Sequence, residues 1–286
     1  MTSSLGLIRS DFQHDLMNRG VYVRSKGKPT NADGGGKLSV RIADDIAATL
    51  GGIPVRKRLS PQSIGVQFED ATSIYLERSL NLFNHLRPGT WSVRRVPGRK
   101  GAEYLAQHEQ YAHLDALKRK VDTDPSLATV LGNAYDIAPD IVITRDAYSD
   151  AFINKGGTLV DAGVAAHSPL RAANSRPPHL QAVVSCKWTF RSDRAQNSRT
   201  ESLSLVRNRK GRLPNIVVVT AEPLPSRLSS LALGTGDIDC LYHVALPELQ
   251  AAVAASGDKK AMRLMDTMVD GHRLRDISDL PLDALL

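Results

Sequence analysis

The amino-acid sequence predicts an α/β fold in which a mixed central β-sheet is flanked by helices. From about residue 130 onward, short segments rich in Val and Ile alternate with segments of helical periodicity. The preceding part of the chain has apolar residues mainly at helical spacing. No long low-complexity linker divides the two parts, so residues 1–286 are predicted to form one domain.

The N-terminal part contains three predicted helices, at residues 39–50, 63–86 and 102–121. The second is the clearest, because its apolar stripe continues until Pro88-Gly89 ends it. Between the second and third helices, residues 91–100 read as a short strand followed by a basic turn.

The C-terminal part supplies the predicted sheet. The strands are predicted at residues 140–144, 181–188, 215–220 and 239–244. A helix at residues 192–208 separates the second and third of them, and another begins near Pro247, because proline suits the first turn of a helix.

Composition narrows the class of protein. The 286 residues include 37 Lys and Arg against 30 Asp and Glu, a net charge of +7 that favours a polyanionic partner such as nucleic acid. The two cysteines, Cys186 and Cys240, favour a reducing compartment. With no signal-peptide pattern and no run of eighteen apolar residues, the chain is predicted to be cytoplasmic. A phosphate-binding GxxxxGK[ST] motif is missing, which argues against an ATP-driven motor.

One group of residues suits metal-assisted cleavage of a phosphodiester. Asp140 follows a proline at the start of a predicted strand, and Ser185 and Lys187 share one face at the end of another. Nucleases usually have an acid two residues before such a lysine, but Ser185 carries no charge. Glu201, on the helix that follows, is the candidate replacement, and Glu69 is a possible additional acid. Each residue alone also fits an ordinary turn, strand-edge or surface position.

A second group suits the reading of DNA bases. Arg191 and Arg194 flank Asp193 where a helix begins, with Ser192 as a predicted N-cap. Cations are unfavourable at that end of the helix dipole, so a base edge that accepts bidentate hydrogen bonds would explain them. A structural Arg–Asp–Arg ion network is the alternative. Arg227, predicted to lie in a loop, is either a further base reader or an exposed arginine.

The sequence resembles the NgoMIV-like type IIF restriction endonucleases, a CCGG-reading group of the PD-(D/E)xK superfamily. The resemblance extends nearly from end to end and implies a restriction-endonuclease-like three-layer fold. The segments that carry it include Ser185-Cys186-Lys187-Trp188-Thr189, Arg191-Ser192-Asp193-Arg194-Ala195-Gln196-Asn197, Leu205-Val206-Arg207-Asn208-Arg209-Lys210-Gly211-Arg212-Leu213-Pro214 and Ile216-Val217-Val218-Val219-Thr220-Ala221-Glu222-Pro223.

For the active site, the resemblance implies two Mg²⁺ ions bound by Asp140 and by the main-chain carbonyl of Cys186. Lys187 would be the catalytic lysine. Ser185 would occupy the usual acid position, Glu201 would replace that acid, and Glu69 would match the family's additional acid.

For DNA binding, the resemblance implies separate readers for different parts of the site. Arg191, Asp193 and Arg194 match residues that read the inner CCGG, and Arg227 matches the reader of the outer G·C pair. Gln62 matches a minor-groove contact. Gly35 stands where the family has a serine, which puts the corresponding hydrogen bond in doubt.

The implied function is Mg²⁺-dependent cleavage of double-stranded DNA at palindromic GCCGGC, leaving 5′ overhangs. A palindrome requires a two-fold dimer, and the resemblance adds its pairing into a homotetramer. A cognate DNA methyltransferase is expected in the host. Two alternatives remain: a structure-specific repair or junction-resolving nuclease of the same fold, and a catalytically dead sequence-specific DNA-binding protein.

Overall fold

The structure is a computed structural model that describes residues 3–96, 101–124, 126–127, 129, 139–174, 177–190 and 192–286. For residues 102 and 192–197 it describes the backbone only. Arg191 therefore lies outside the described residues, and Asp193 and Arg194 are placed by their backbone alone.

Eight strands and eleven α-helices are assigned within this part of the chain. The strands are β1 (Arg24–Ser25), β2 (Lys28–Pro29), β3 (Trp91–Arg95), β4 (Ile141–Arg145), β5 (His179–Lys187), β6 (Asn215–Thr220), β7 (Cys240–His243) and β8 (Leu274–Asp276). The helices are α1 (Ser4–Asn18), α2 (Lys37–Thr49), α3 (Pro61–Asn81), α4 (Gly101–Leu105), α5 (His113–Thr123), α6 (Asp150–Ile153), α7 (Ser192–Asn208), α8 (Pro225–Ala232), α9 (Leu246–Ser256), α10 (Lys259–Asp270) and α11 (Leu280–Asp283), with a 3₁₀ turn at Asn154–Gly156.

The central sheet has six strands in the order β3-β4-β5-β6-β7-β8. The pairs β3–β4 and β4–β5 are antiparallel, whereas β5, β6, β7 and β8 run parallel. Because β4 and β5 are antiparallel, with Ile141 opposite Val184, the start of β4 lies beside the end of β5. This register places Asp140 next to the last residues of β5.

Apolar side chains cover both faces of the sheet. On β4, Ile141 and Ile143 point into the larger core, which includes side chains of α1, α2, α3, α9 and α10. Val142 points to the opposite face, into a smaller core that contains Tyr111 and Leu205. The result is a sheet between two helical layers, which confirms the predicted α/β class. The prediction that residues 1–286 form one domain stays a prediction.

The predicted helix over residues 102–121 is wrong as a single element. The chain forms α4, leaves the helix, and resumes it as α5. Distant partners hold the interruption: the Gln110 side chain bonds both backbone groups of Leu180, at 2.7 and 3.1 Å, and the Tyr111 hydroxyl donates to the Leu205 carbonyl. These long-range bonds outweigh the local helical periodicity.

Other boundaries differ less. The long helix α3 begins at Pro61 because the Ser60 hydroxyl caps it, and it ends at Asn81, five residues earlier than predicted. The prediction that Arg227 lies in a loop is wrong, because this residue lies in the first turn of α8. The helices α1 and α10 and the strands β1, β2 and β8 were not predicted. Every helix in the described part of the chain is too short or too polar to span a membrane.

Candidate active site

The carboxylate of Asp140 is held by three consecutive residues of β5. Its Oδ2 accepts hydrogen bonds from the backbone N–H of Cys186 at 2.7 Å, from Lys187 Nζ at 3.0 Å and from Ser185 Oγ at 3.3 Å. The last two are side-chain bonds because Ser185 and Lys187 share a face of the strand, whereas the Cys186 thiol points into the larger core. The strand pairing thus builds the centre of the predicted site.

Lys187 keeps its charge in this environment. Burial by itself lowers the pKa of the ammonium, but the negative charges of Asp140 and Glu201 outweigh that effect and raise the pKa above its usual value. A charged lysine beside the carboxylates can neutralise a phosphate oxygen and orient a water molecule. Burial, with Asp140 nearby, raises the pKa of the Cys186 thiol well above normal, which disfavours the reactive thiolate form.

The two predicted distant acids lie near the same point. Glu201 is on α7, and burial raises its pKa, with Lys187 opposing the shift and Asp140 adding to it. Glu69 is on α3, and burial also raises its pKa, with the Asp140 charge as the second cause. The tertiary fold therefore brings both carboxylates within electrostatic range of Asp140.

Arg95 fixes the position of Glu69, a contact that the sequence did not reveal. Its Nη1 lies 3.2 Å from Glu69 Oε2, and its Nε lies 2.7 Å from Asp70 Oδ1. The arginine comes from β3 at the edge of the sheet and therefore joins α3 to the sheet beside the candidate site.

The donor set suits a hard divalent cation. Asp140 Oδ1 has no hydrogen bond among the described residues, so one carboxylate oxygen stays available. No three His, Cys, Asp or Glu side chains in the described part of the chain converge as a ready-made metal cage. This arrangement fits Mg²⁺, which commonly binds one or two carboxylates and completes its shell with water and substrate phosphate.

One predicted reader, Arg227, lines a cleft of about 620 Å³ together with Asp33, Arg58, Thr189 and Phe190, among others. Arg227 Nη1 donates to the Phe190 carbonyl at 3.0 Å, and its Nη2 pairs with the Asp33 carboxylate. The outer-pair candidate therefore contacts the residue that directly precedes Arg191.

The positions of the remaining predicted readers follow from the helices and loops that carry them. Asp193 and Arg194 belong to the first turn of α7, which begins at Ser192. Gln62 is exposed in the first turn of α3, and Gly35 is exposed in the loop before α2, where its N–H donates to Asp33 Oδ1 at 3.2 Å. The loop of Gly35 thus reaches the same cleft as Arg227 through Asp33.

Two further residues organise this region and were not predicted. Glu222, fully buried after β6, accepts hydrogen bonds from the backbone N–H groups of Phe190 and Leu224. Arg199, on α7, donates to the carbonyls of Ser230, Leu231 and Leu233 at the end of α8. A carboxylate directly after a buried strand was the available signal for Glu222; nothing local marks Arg199.

Comparison with known proteins identifies the family to which the chain belongs. The sequence profile described as NgoMIV restriction enzyme matches residues 12–286. The chain is also 50% identical over 276 residues to the type II restriction enzyme NgoMIV of Neisseria gonorrhoeae, covering 96% of each protein. The chain therefore belongs to the NgoMIV restriction enzyme family and is a type II restriction endonuclease.

Proposed function

We propose that this chain cleaves both strands of DNA at palindromic GCCGGC in a Mg²⁺-dependent reaction and leaves 5′ overhangs. The observation that carries the proposal is the contact of Lys187 Nζ with Asp140 at 3.0 Å, with Glu201 close enough to influence the pKa of Lys187. Two and three residues after Lys187 in the chain, Thr189 and Phe190 line the cleft that Arg227 also lines.

In the proposed mechanism, Asp140 and the main-chain carbonyl of Cys186 would hold two Mg²⁺ ions per active site. The bound cations would supply positive charge for the scissile phosphate and make a water molecule more acidic. Lys187 places its positive charge against the phosphate and orients the attacking water. Ser185 carries no charge, so Glu201 supplies the second carboxylate from α7, and Glu69 supplies a third from α3.

The proposed reading of the target divides between two helices. Arg191, which precedes α7 in the sequence, and Asp193 and Arg194 in its first turn read the inner CCGG, because arginine pairs with guanine and aspartate accepts from cytosine in the major groove. Arg227 on α8 reads the outer G·C pair, while Gln62 and the Gly35 loop approach the minor groove. Without a side chain, Gly35 can contribute only backbone groups there.

A palindromic target implies a homodimer in which each subunit reads one half-site. We propose that two such dimers form a homotetramer that holds two DNA sites. A cognate DNA methyltransferase would protect the host's own GCCGGC sequences. Light scattering at working concentration would distinguish a dimer from a tetramer.

One digest tests the proposed activity. Unmethylated DNA that contains GCCGGC is incubated with the protein and Mg²⁺, and the ends of the products are sequenced. We expect fragments that all begin within GCCGGC and carry 5′ extensions. The control is Asp140→Ala, which should lower cleavage by at least about 10²-fold.

Other outcomes identify the alternatives. Products with no fixed sequence would indicate a structure-specific nuclease. Tight binding of GCCGGC with no cleavage at any Mg²⁺ concentration would indicate a dead DNA-binding protein. Wild-type cleavage rates in Asp140→Ala would contradict the proposed mechanism.

A further inference from the structure

A buried carboxylate lies between the segments that carry the two proposed sets of base readers. Glu222 has no exposed surface. Its Oε2 accepts from the Phe190 N–H at 2.9 Å, and its Oε1 accepts from the Leu224 N–H at 3.1 Å. Phe190 directly precedes Arg191, and Leu224 directly precedes α8, which carries Arg227. One side chain therefore bridges the backbone at the start of both reading elements.

Arg227 contacts both Glu222 and Phe190. Its Nη1 lies 3.7 Å from Glu222 Oε2 and donates to the carbonyl of Phe190 at 3.0 Å. The backbone N–H of Phe190 thus bonds Glu222, while its carbonyl bonds Arg227. Two bonds hold the same peptide segment, and both originate from the chain that follows β6.

Stability alone does not account for an acid at this position. Transferring a carboxylate into the interior costs several kcal/mol, and a well-packed apolar side chain is often as stable or more so. In some proteins a buried charged group is retained because it fixes one particular geometry. Here both oxygens bond backbone N–H groups, which sets the separation of the two reading elements.

We propose that Glu222 is a positioning residue for target discrimination, fixing the Phe190 backbone and the guanidinium of Arg227 so that the inner and outer readers meet DNA in one register. The proposal rests on the assignment of Arg227 and of residues 191–194 as base readers. Glu222 itself touches no base in this scheme.

The charge of Glu222 makes the effect depend on pH. Burial, opposed by the Phe190 and Leu224 hydrogen bonds and by Arg227, raises the pKa of Glu222 to about 7. Among the described residues, the charged groups that shift its pKa are those of Arg227 on α8 and Asp33 in the loop before α2. Below pH 7 the carboxyl becomes neutral and loses both its attraction for Arg227 and one acceptor position. Discrimination between different outer base pairs should then weaken.

The test compares kcat/KM for duplexes that contain GCCGGC or ACCGGT, which share the inner CCGG and differ only in the outer pair. We expect the wild-type ratio to fall several-fold from pH 8 to pH 6. Glu222→Gln, which keeps the shape but loses the charge, should lower the ratio by about tenfold at pH 8 and remove its pH dependence. Glu222→Asp, which keeps the charge, should restore part of the ratio.

The matched control is Asp276→Asn, which alters another buried carboxylate whose partners include Arg9, Leu246 and Ser278 but no proposed reader. It should reduce thermal stability and leave the ratio unchanged. The double variant Glu222→Gln/Arg227→Ala should discriminate no worse than Arg227→Ala alone, because Glu222 acts through Arg227 on the outer pair.

The outcomes separate this inference from the proposed function. A wild-type protein that cleaves both duplexes equally overturns the proposed specificity and the inference with it. Wild-type discrimination that persists in Glu222→Gln, or an equal loss on both duplexes, overturns the role of Glu222 alone. If Glu222→Gln does not fold, the wild-type ratio decides: a ratio that is constant between pH 6 and pH 8 contradicts the inference.

Discussion

At the scale of single residues, Asp140 illustrates how a strand pairing can assemble a site. Its Oδ2 receives donors from Ser185, Cys186 and Lys187, three successive residues of the neighbouring strand. The sequence allowed Asp140, Ser185 and Lys187 to be predicted, because strand ends and side-chain alternation are local properties. The partners Arg95 of Glu69 and Asp33 of Arg227 were not predictable, because they are distant in sequence and lie on other elements.

The first prediction concerns the replacement of Arg227. Arg227→Ala should cleave ACCGGT and GCCGGC at similar rates, since a bidentate arginine–guanine contact contributes about 1–3 kcal/mol of discrimination. The cleavage rate for GCCGGC should fall by roughly the same factor as the discrimination that is lost. Competitive digestion of the two duplexes in one tube gives the ratio directly. Undiminished preference for GCCGGC would contradict the assignment of Arg227.

At the scale of elements, helix α7 carries the proposed readers Asp193 and Arg194 in its first turn and Glu201 about two turns later. Arg199 fixes it to the end of α8: its Nη2 donates to the carbonyls of Leu233, Ser230 and Leu231 at 2.7, 3.1 and 3.3 Å, and its Nη1 pairs with Asp237. Carbonyls at a helix C-terminus attract cations. Arg199 therefore joins the middle of α7 to the C-terminal end of α8, the helix that carries Arg227.

Arg199→Lys should loosen this junction. The ammonium cannot reproduce the planar fork of the guanidinium, so we expect a loss of about 1–3 kcal/mol in the free energy of unfolding in urea. Displacement of α7 by about 1 Å would also lower kcat by roughly 10²-fold through Glu201. The control is Arg207→Lys on the exposed side of the same helix, which should change neither quantity. Unaltered stability and kcat in Arg199→Lys would show that the junction is dispensable.

Element predictions succeeded where periodicity and capping agree with tertiary contacts. The strand Asn215–Thr220 and the helix Ser192–Asn208 were predicted with their observed bounds. The helix over residues 102–121 failed because Gln110 and Tyr111 bond distant backbone groups, which no local pattern records. Helix α8 was missed because Glu222-Pro223-Leu224-Pro225 resembles a loop, although Pro225 in fact begins a helix.

At the scale of the whole molecule, several of the cations behind the net charge of +7 are clustered beside the cleft of Arg227. Lys26, Lys28, Lys57 and Arg58 are exposed around a groove of about 590 Å³, and Arg58 also lines the cleft of Arg227. No ion pair of Lys26, Lys57 or Arg58 occurs among the described residues. These four exposed cations, called the cationic wall below, are suited to contact the DNA phosphates beside the bases that the protein would read.

Salt dependence tests this surface. Lys57→Gln and Lys26→Gln should each reduce the slope of log K against log salt concentration by about 1, because each cation displaces about one condensed counterion. Preference for GCCGGC over ACCGGT should stay unchanged, since phosphates carry no base identity. Lys259→Gln, at the start of α10, is the control. An unchanged slope in the first two variants would remove this wall from the binding surface.

Two buried groups have opposite effects on stability as pH falls. Burial lowers the pKa of His243 to about 4, so protons bind the unfolded chain preferentially below pH 6.5, and stability is lost as pH falls towards 4. Burial raises the pKa of Glu222 to about 7, so between pH 7 and pH 4.5 the folded chain binds the proton and gains stability as pH falls. Each contribution is on the order of 3 kcal/mol.

Stability measurements between pH 7.5 and pH 5 should reveal this compensation. Relative to wild type, Glu222→Gln should lose stability more steeply as pH falls, whereas His243→Asn should lose it less steeply or gain. Urea unfolding at each pH gives both differences. Parallel profiles for the two variants and the wild type would mean that neither group titrates in that range.

The ion pairs of Arg9 also have a consequence for how the protein is made. Arg9 pairs with Glu248 and Asp276, which the ribosome adds 239 and 267 residues later. Helix α1, which packs on α3, cannot complete its contacts until those residues have emerged. Because α1 packs on α3, the packing of the helix that carries Glu69 is completed only after Glu248 and Asp276 have been synthesised.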